Sequence, residues 1–477
     1  MCGIVGIVSQ SAVASQLYDS LIQLQHRGQA AAGIITMDEK LNMKLGKGLV
    51  REIFQPSHMQ ALTGNFGIAH VRYPTAGDHA SLDETQPFWL GFPYGITMAH
   101  NGNLTNYLEL KQLLAQKFRR HLNTKSDSEA LIHLVSAYLE TSEQTHPNNN
   151  FFEHVCNTIQ QIFQTVKGSY TTICAMTQKG LIAFRDPHGV RPLVIGKRND
   201  NDYIFASEDT PFFSLGFERI GDLKPGEVIF VSHDGKIQRQ QLSHSAFHPC
   251  VFEYVYFARP DATLDQVSVY EARRRLGTRL AIAWKKQFPE LEPDVIIPVP
   301  FTSNTAALSF AETLQLRYCE GLYKNPFIGR TFIMPNQEMR RYSVRHKLTP
   351  QASEIRGKNV LLVDDSIVRG TTSKEIVRMV REIGAKSVYL VSTSPPIRHP
   401  CYYGIDIPTE AELIASHLST DDLKTYLNVD ALLYQHEKDL VEAVGTHKNP
   451  CMACMNNRYI NTCSQQGAAE TTCKMEA

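Results

Sequence analysis

The 477-residue chain has no excess of charge of either sign, because 48 lysines and arginines balance 48 aspartates and glutamates. A basic face for nucleic acid or an anionic membrane is therefore not expected. No apolar run approaches the roughly 18 residues of a membrane-spanning helix. No basic segment followed by an apolar stretch marks a signal peptide. We therefore expect a cytoplasmic protein with no nucleic-acid or membrane partner.

Length and cysteine content indicate the number of domains and the state of the thiols. A chain of 477 residues is too long for one hydrophobic core, so two or three domains are expected. In a reducing compartment the ten cysteines are not expected to form disulfides. No internal repeat or low-complexity tract stands out.

The most informative segment is VLLVDDSIVRGTTS at residues 360–373. Residues 360–363 form an apolar run typical of a buried strand, and residues 372–375 have capping-box spacing for a following helix. A phosphate at that helix start would meet unpaired N–H groups and the positive end of the helix dipole. Asp364 and Asp365 are placed for ribose hydroxyls or a hydrated Mg²⁺. An Asp-Asp pair alone would more often be a solvated turn.

The amino terminus, MCGIVGIV, carries a second signal. Removal of Met1 would leave a thiol and an α-amine on Cys2, with pKa values of about 8.5 and about 7.7–8, which is a compact nucleophile and base. A strand over residues 4–8 would hold this terminus, and Gly3 and Gly6 allow close backbone approach. The alternative is an ordinary small residue before a core strand.

Three further motifs suit free glutamine, which carries a carboxylate, an ammonium and an amide. Arg72 in HVRYPT can bind the carboxylate with two charge-assisted bonds, and Asp127 in TKSDSE can neutralise the ammonium. The Asn101 side chain and the Gly102 N–H in AHNGNLTN could stabilise the oxyanion formed when Cys2 attacks. Singly, these residues could equally be a surface ion pair, a helix cap and a turn.

Together these motifs resemble two known families. Cys2 and its companion motifs are similar to the class II (N-terminal nucleophile) glutamine amidotransferases, and LQHRGQAAAG, with Gly28, matches part of their glutamine pocket wall. VLLVDDSIVRGTTS resembles the phosphoribosyl pyrophosphate (PRPP) loop of type I phosphoribosyltransferases. This order of sites is that of the amidophosphoribosyltransferases, whose segments FRDPHGVRPL, FEYVYFARPD and YGIDIP also have counterparts here.

The resemblance implies an α+β N-terminal-nucleophile sandwich (αββα), followed by an α/β phosphoribosyltransferase domain with a mainly parallel sheet. The expected domains are residues 2–245, residues 246–445 and a C-terminal tail, residues 446–477, carrying the C-x-x-C. Turn-bounded apolar segments predict strands at 173–176, 181–184 and 203–206. After residue 254 strands alternate with helices, which predicts a parallel sheet with its ligand at the carboxyl ends of the strands.

The resemblance also assigns PRPP and magnesium contacts. The 5′-phosphate is expected on Arg369, Gly370, Thr371 and Thr372, with Ser366 and Lys324 as further PRPP contacts. Asp364 and Asp365 are expected to orient Mg²⁺, together with Ser303 of the pyrophosphate-and-metal loop. Basic residues 324–349 match the family's mobile loop, and a solvated basic loop is the alternative. Many relatives carry Arg-Tyr where this chain has Pro326-Phe327, so a closing role for that tyrosine hydroxyl is in doubt.

The implied reaction makes 5-phosphoribosylamine from PRPP and glutamine, the first committed step of purine synthesis. Ammonia released into neutral water would become ammonium, so a passage between the two sites is expected. The resemblance further implies feedback inhibition by purine nucleotides and a homo-oligomer, a dimer or tetramer.

Four cysteines, Cys250, Cys401, Cys451 and Cys454, could form a metal centre. The C-x-x-C pair suits iron–sulfur or zinc, and inert thiols are a third interpretation. By resemblance, all four match the ligands of a 4Fe–4S cluster in one branch of the family, and Cys463 could compete as a ligand. Cluster-bearing relatives often carry a propeptide, whereas here only Met1 precedes Cys2. The remaining thiols are expected in the core or tail: Cys156, Cys174, Cys319 and Cys473.

Two other functions share part of this set of motifs. Glucosamine-6-phosphate synthase and asparagine synthetase share the Cys2 domain but lack the VDDSIVRGTT loop. A PRPP-sensing transcriptional regulator is a different class, and the neutral charge and the Cys2, Arg72, Asn101 and Asp127 set argue against it. Salt-dependent DNA binding would separate the two classes.

Overall fold

The computed structural model describes residues 2–73, 83–326, 344–407, 409–445 and 449–460. The strands of the first half are β1 Gly3–Val8, β2 Ala31–Met37, β3 Leu41–Lys47, β4 Phe66–Arg72, β5 Phe88–Leu90, β6 Ile96–Leu104, β7 Gly168–Met176, β8 Gly180–Arg185, β9 Val194–Arg198, β10 Asp202–Ala206, β11 Glu218–Asp222, β12 Glu227–Ser232 and β13 Ile237–Gln241. Its helices are Ala14–Gln23, the 3₁₀ turn Gln25–Arg27, Val50–Ile53, Pro56–Ala61, Tyr107–Lys117, Asp127–Thr145, Phe151–Thr165 and Phe212–Leu215.

The first half is a sandwich of two antiparallel sheets. One sheet has the order β11-β9-β10-β1-β4-β2-β3 and the other β13-β12-β8-β7-β6-β5. Alternation along β1 places Ile4 in the apolar layer between the sheets, while Val5 faces the helix Ala14–Gln23 on the outside. The helices Asp127–Thr145 and Phe151–Thr165 pack on the outer face of the second sheet. The predicted αββα class is confirmed, as are the three predicted strands.

The second half continues with strands β14 Thr263–Leu264, β15 Val267–Ser268, β16 Val295–Pro298, β17 Leu322–Lys324, β18 Leu348–Pro350, β19 Asn359–Asp364, β20 Ser387–Ser392 and β21 Ala431–Tyr434. Its helices are the π-helical turn Glu253–Phe257, Val269–Gln287, Asn304–Leu314, Ala352–Ile355, Thr371–Glu382, the 3₁₀ turn Glu410–Glu412, Ile414–His417, Thr420–Leu427, Glu437–Val444 and Ala453–Asn456.

Strands β16, β19, β20 and β21 form a parallel sheet in that order. The helix Thr371–Glu382 crosses from β19 to β20 and buries Ile376, Val377 and Val380 against the sheet. It ends just before Gly384, whose φ of +98° suits a residue without a Cβ. The mainly parallel sheet predicted from the sequence is therefore confirmed, and β19 delivers Asp364 to its carboxyl edge.

The predicted start of that helix is wrong. The helix begins at Thr371, and its N-cap is Gly370 with φ +71° and no side-chain cap bond, so residues 372–375 form no capping box. A glycine reaches this left-handed conformation without steric cost and lets the chain enter the helix earlier. Glu375 instead pairs with Arg345 at 2.7 Å and Arg378 at 2.6 Å.

The two halves share one apolar cluster, which contains Val5 and Val71 from the first and Ile397 and Leu440 from the second. The predicted boundary at residues 245 and 246 lies in the irregular segment between β13 and the π-helical turn, and it stays a prediction. None of the helices in the described ranges is long and apolar enough to cross a membrane.

Candidate active sites

Cys2 lies at the start of β1, where three groups fix it. Its backbone N–H donates to Asn101 Oδ1 at 3.1 Å, and its carbonyl oxygen accepts from Arg27 Nε at 3.1 Å. The Tyr73 N–H is 3.5 Å from the Cys2 sulfur. Met1 lies outside the described residues. The backbone of the predicted nucleophile is therefore anchored on both sides.

The predicted oxyanion donors adjoin Cys2. Asn101 on β6 is fully buried, and its Nδ2 has no hydrogen-bond partner among the described residues. A buried donor without a partner is costly, so Asn101 Nδ2 would gain from a ligand acceptor at this position. A Cβ on Gly102 would lie 2.0 Å from the Ser169 carbonyl oxygen, so only glycine fits there.

The predicted carboxylate ligand, Arg72, is the last residue of β4. Its Nη2 is 2.8 Å from Glu84 Oε2, and both side chains are buried. Gly28 packs directly on this strand end, because a Cβ there would lie 2.6 Å from the main-chain carbonyl carbons of Val71 and Arg72.

Asp127, the predicted ammonium ligand, is the first residue of the helix Asp127–Thr145. Its Oδ2 accepts the Leu104 N–H at 3.0 Å, and its Oδ1 accepts the Ser128 hydroxyl at 3.3 Å. His100 Nδ1 is 4.0 Å from the same carboxylate. Burial lowers the pKa of His100 against the opposing charge of Asp127, which favours the neutral imidazole beside this carboxylate.

Sequence reasoning missed the buried Arg27, which joins Cys2 to both halves of the chain. Its guanidinium binds Glu253 through two N–H groups, at 2.9 and 3.0 Å, and Glu208 at 2.5 Å. Burial alone would lower the pKa of Arg27, and the charges of Glu253 and Glu208 raise it instead. The available signal was a charged residue directly before Gly28 in a segment already assigned to the pocket wall.

The second candidate site lies at the carboxyl end of β19. The Asp365 N–H donates to Asp364 Oδ1 at 2.9 Å, and the Ser366 hydroxyl donates to Asp365 Oδ1 at 2.7 Å. The Thr302 hydroxyl donates to the other oxygen of Asp365. Two adjacent buried carboxylates are thus held by local donors.

Electrostatics favour a cation at this pair. Burial and the charge of Asp365 raise the pKa of Asp364 well above its usual value. Burial also raises the pKa of Asp365, against the opposing charges of Arg273 and Lys324. The structure therefore places the predicted Lys324 within electrostatic range of Asp365. Carboxylates in this state gain most from a divalent cation or hydroxyl donors.

Ser303, the predicted magnesium ligand, precedes the helix Asn304–Leu314. Its side chain is fully buried, and its hydroxyl has no hydrogen-bond partner among the described residues. Thr302 links this loop to Asp365, so the structure brings the Ser303 loop and the aspartate pair together.

The structure brings together only some of the residues predicted to bind the phosphate. Gly370, Thr371 and Thr372 open the helix Thr371–Glu382, where unpaired N–H groups are expected. Arg369 pairs with Glu412 at 3.0 Å, so a phosphate would have to compete for it. Most of the predicted mobile loop, residues 327–343 with Phe327, lies outside the described residues.

The four candidate cluster cysteines lie in three segments that meet. Cys250 and Cys451 form an isolated parallel bridge, in which the Cys451 N–H donates to the Pro249 carbonyl at 2.8 Å. The Cys454 carbonyl accepts the Arg398 N–H at 2.9 Å, close to Cys401 along the chain. All four thiols are free. Cys463 and Cys473 lie outside the described residues.

These thiols influence one another electrostatically. Burial raises the pKa of Cys250 to about 11, and the charge of Cys401 adds to the shift. Burial and the other three thiols raise the pKa of Cys454 well above its usual value. The fully buried Arg191 faces Cys250, Cys401 and Cys451. In the described part of the chain, no group of three or more His, Cys, Asp or Glu side chains is arranged to hold a metal ion.

Comparison with known proteins gives consistent matches. A family model for a glutamine amidotransferase domain matches residues 78–214. The amidophosphoribosyltransferase of Pasteurella multocida is 49% identical over 459 residues, covering 94% of this chain and 90% of the relative. The enzyme of the same name from Escherichia coli is 48% identical over 453 residues, covering 93% and 88%.

Two solved structures are similar to this protein over almost its whole length. Glutamine PRPP amidotransferase from B. subtilis, in complex with ADP and GMP, has a TM-score of 0.85 and 36% identity, covering 97% of this chain and 98% of that one. A structure of the allosteric regulatory enzyme of purine biosynthesis has a TM-score of 0.86 and 36% identity, covering 98% and 97%. With the two candidate sites in place, these matches show that the chain belongs to the amidophosphoribosyltransferase family.

Proposed function

We infer that this chain transfers ammonia from glutamine to PRPP, giving 5-phosphoribosylamine, pyrophosphate and glutamate in the first committed step of purine synthesis. One observation carries the inference at residue level. Asn101 accepts the Cys2 N–H through Oδ1 while its buried Nδ2 has no partner among the described residues. One side chain can thus orient the nucleophile and stabilise the oxyanion it creates.

The glutamine half of the reaction uses the amino terminus as its own base. After Met1 is removed, the Cys2 α-amine takes the thiol proton, and the sulfur attacks the glutamine amide carbon. The oxyanion binds Asn101 Nδ2 and the Gly102 N–H. The protonated amine then gives its proton to the leaving ammonia, and water hydrolyses the thioester to glutamate. Arg72 holds the α-carboxylate and Asp127 the ammonium of the substrate, with Gly28 in the pocket wall.

The PRPP half takes place at the carboxyl edge of the parallel sheet. We assign the 5′-phosphate to Arg369, Gly370, Thr371 and Thr372, with Ser366 and Lys324 as further contacts. Asp364 and Asp365 bind the ribose hydroxyls. Ser303 and the two aspartates fit Mg²⁺: the buried Ser303 hydroxyl has no partner among the described residues, and burial raises the pKa of both carboxyls, so a divalent cation would stabilise their charged forms. When bound, Mg²⁺ would stabilise the departing pyrophosphate.

The two sites belong to separate domains, which we assign to residues 2–245 and 246–445, with a tail from residue 446. Ammonia would lose its lone pair on protonation, so a sheltered passage between Cys2 and the anomeric carbon is part of the proposal. Glutamine-derived nitrogen should then fail to exchange with labelled ammonium in the buffer. Free exchange would refute the passage and leave the two half-reactions intact.

Cys250, Cys401, Cys451 and Cys454 fit a 4Fe–4S cluster. They are four free thiols in mutual electrostatic range, and the buried cation of Arg191 beside them would balance the cluster's negative charge. The cluster would hold the segment of Cys451 against Cys250. Anaerobically purified protein without iron or broad visible absorbance would exclude it.

Regulation and assembly follow the family. The B. subtilis relative was solved with ADP and GMP, and we propose purine nucleotides as feedback inhibitors here. We also propose a cytoplasmic homo-oligomer, a dimer or tetramer.

The decisive experiment replaces Cys2 by alanine and measures synthesis from glutamine and from ammonium salts. We expect the first activity to vanish and the second to remain, because the PRPP site does not use the thiol. Cys174→Ala is a matched control, since Cys174 is a fully buried thiol of the same sandwich. Full glutamine-dependent activity in Cys2→Ala would refute the function.

A further inference from the structure

Glu84 is a buried carboxylate beside the glutamine site that the sequence motifs did not reveal. Its side chain is 3% exposed, and its Oε2 lies 2.8 Å from Arg72 Nη2. A charge this buried is tolerated only when it is paired. The position of Glu84 and that of the Arg72 guanidinium therefore depend on each other.

The segment that carries Glu84 also touches the other parts of the pocket. Two residues on, Gln86 Oε1 accepts the His100 N–H at 2.7 Å, next to Asn101. Gln86 Nε2 donates to the Ser128 hydroxyl at 2.9 Å, which in turn donates to Asp127. Residues 84–86 therefore contact Arg72 directly. They are also linked to Asp127 through Ser128 and to Asn101 through His100, its neighbour in the chain.

The charges of Glu84 and Asp127 both act on the same neighbouring group, Tyr107. Burial raises the pKa of Tyr107 to about 12, and the charges of Glu129, Asp127 and Glu84 all add to the shift.

We propose that Glu84 is a positioning residue: it holds the Arg72 guanidinium in the orientation that binds the α-carboxylate of free glutamine. This rests on the proposed function, because it takes Arg72 as the glutamine ligand. An arginine side chain loses much rotational freedom when it is fixed. Glu84 removes part of that cost before glutamine arrives, and a guanidinium has five N–H donors, which is more than one carboxylate uses.

The test is steady-state kinetics on Glu84→Gln and Glu84→Asp in the full-length protein. We expect Glu84→Gln to raise KM for glutamine by about tenfold, with kcat within about twofold of the parent, because the loss lies in substrate binding. KM for PRPP and the rate from ammonium salts should not change. Glu84→Asp keeps the negative charge on a shorter side chain, so its KM for glutamine should lie between those of the parent and Glu84→Gln.

A matched control separates positioning from folding. Glu227 is also a buried carboxylate of the sandwich, 5% exposed and 2.7 Å from Arg239, but it lies outside the pocket. Glu227→Gln should destabilise the fold as Glu84→Gln does, as thermal melts would show, and leave KM for glutamine unchanged.

Three results would overturn the proposal. An unchanged KM for glutamine in Glu84→Gln would show that Arg72 needs no partner. A lower KM would show that Glu84 competes with the substrate for Arg72. An equal fall in the ammonia-dependent rate would indicate a general structural role. None of these touches the proposed function, which fails only if Cys2→Ala keeps its glutamine-dependent activity.

Discussion

Replacement of Asn101 by alanine should nearly abolish glutamine-dependent synthesis and spare synthesis from ammonia. The side chain has two tasks in the structure: Oδ1 accepts the Cys2 N–H at 3.1 Å, and Nδ2 remains without a partner among the described residues. The first task orients the nucleophile, and the second stabilises the charge that forms on the amide oxygen. Alanine removes both.

The size of the effect follows from the burial of this donor. Asn101 is fully buried, so an oxyanion bound to Nδ2 is shielded from water and the hydrogen bond is strong. Loss of one such donor typically costs about 2.7–4 kcal/mol of transition-state stabilisation, or about 10²–10³ in kcat. We therefore expect kcat with glutamine to fall by at least about 10²-fold.

Stability should change much less than activity. A buried donor without a partner destabilises the folded state by about 1–3 kcal/mol, and alanine removes that penalty along with the bond to Cys2. The two changes oppose each other. The free energy of unfolding should therefore shift by no more than about 1 kcal/mol, so lost activity cannot be assigned to unfolding.

The assay compares kcat from glutamine and from ammonium salts at saturating PRPP, for Asn101→Ala and Asn101→Asp. Aspartate keeps the acceptor for the Cys2 N–H but has no donor, so it should be at least as inactive as alanine. Thr97→Val is the control, since Thr97 is a fully buried polar residue of the same strand, β6. Near-parental turnover by Asn101→Asp would refute the oxyanion role and leave Asn101 only as an orienting group.

Three further predictions concern other groups. Arg27→Met removes one cation from the buried carboxylates of Glu208 and Glu253, which keep His26 at 2.8 Å and Arg191 at 3.7 Å. Denaturant melts should therefore show a loss toward the lower end of about 3–5 kcal/mol, and the prediction fails if the loss is below about 1 kcal/mol. Ser303→Ala should raise the Mg²⁺ concentration needed for half-maximal synthesis. Tm should not fall, because the hydroxyl has no partner among the described residues. An unchanged Mg²⁺ requirement would show that Ser303 is not a ligand. Burial raises the pKa of Asp209 to about 6, so the folded state binds this proton more tightly than the unfolded state, and the free energy of unfolding should fall as pH rises from about 4 to about 6. Urea melts of Asp209→Asn should show a flatter pH dependence over that range, and an unchanged slope would contradict the assignment.

The sequence predicted those parts of the molecule whose signals are local. The strand, the aspartate pair and the helix of residues 360–382 are followed directly by the next strand, residues 387–392, so one short segment encodes the whole βαβ unit. The start of the helix could not be placed, because Gly370 and Thr372 are both acceptable boundary residues and only the backbone conformation decides between them.

The long helix Asp127–Thr145 was not predicted, although its first residue, Asp127, was singled out as the ammonium ligand. Residues 128–132 are all buried, because this helix is covered on more than one side. A helix in that position shows no clear division into apolar and polar faces, and the periodicity that marks a surface helix is lost.

Contacts between segments far apart in the sequence were also not predicted. Glu84 and Arg72 are close in sequence, but Glu253 is 226 residues from Arg27 and belongs to a motif that was recognised for a different reason. A single sequence gives the identity of charged residues and not their partners. Buried ion pairs that hold the predicted residues in place therefore came only from the three-dimensional structure.

The bridge between Cys250 and Cys451 has a consequence for biogenesis. During synthesis on a ribosome the sandwich emerges complete long before residue 451 is made, so the nascent polypeptide must wait with the strip around Cys250 uncovered. Val251 and Phe252, which are buried in the folded chain, lie in this strip. The pairing at Cys250 can therefore form only after the segment of Cys451 has been made.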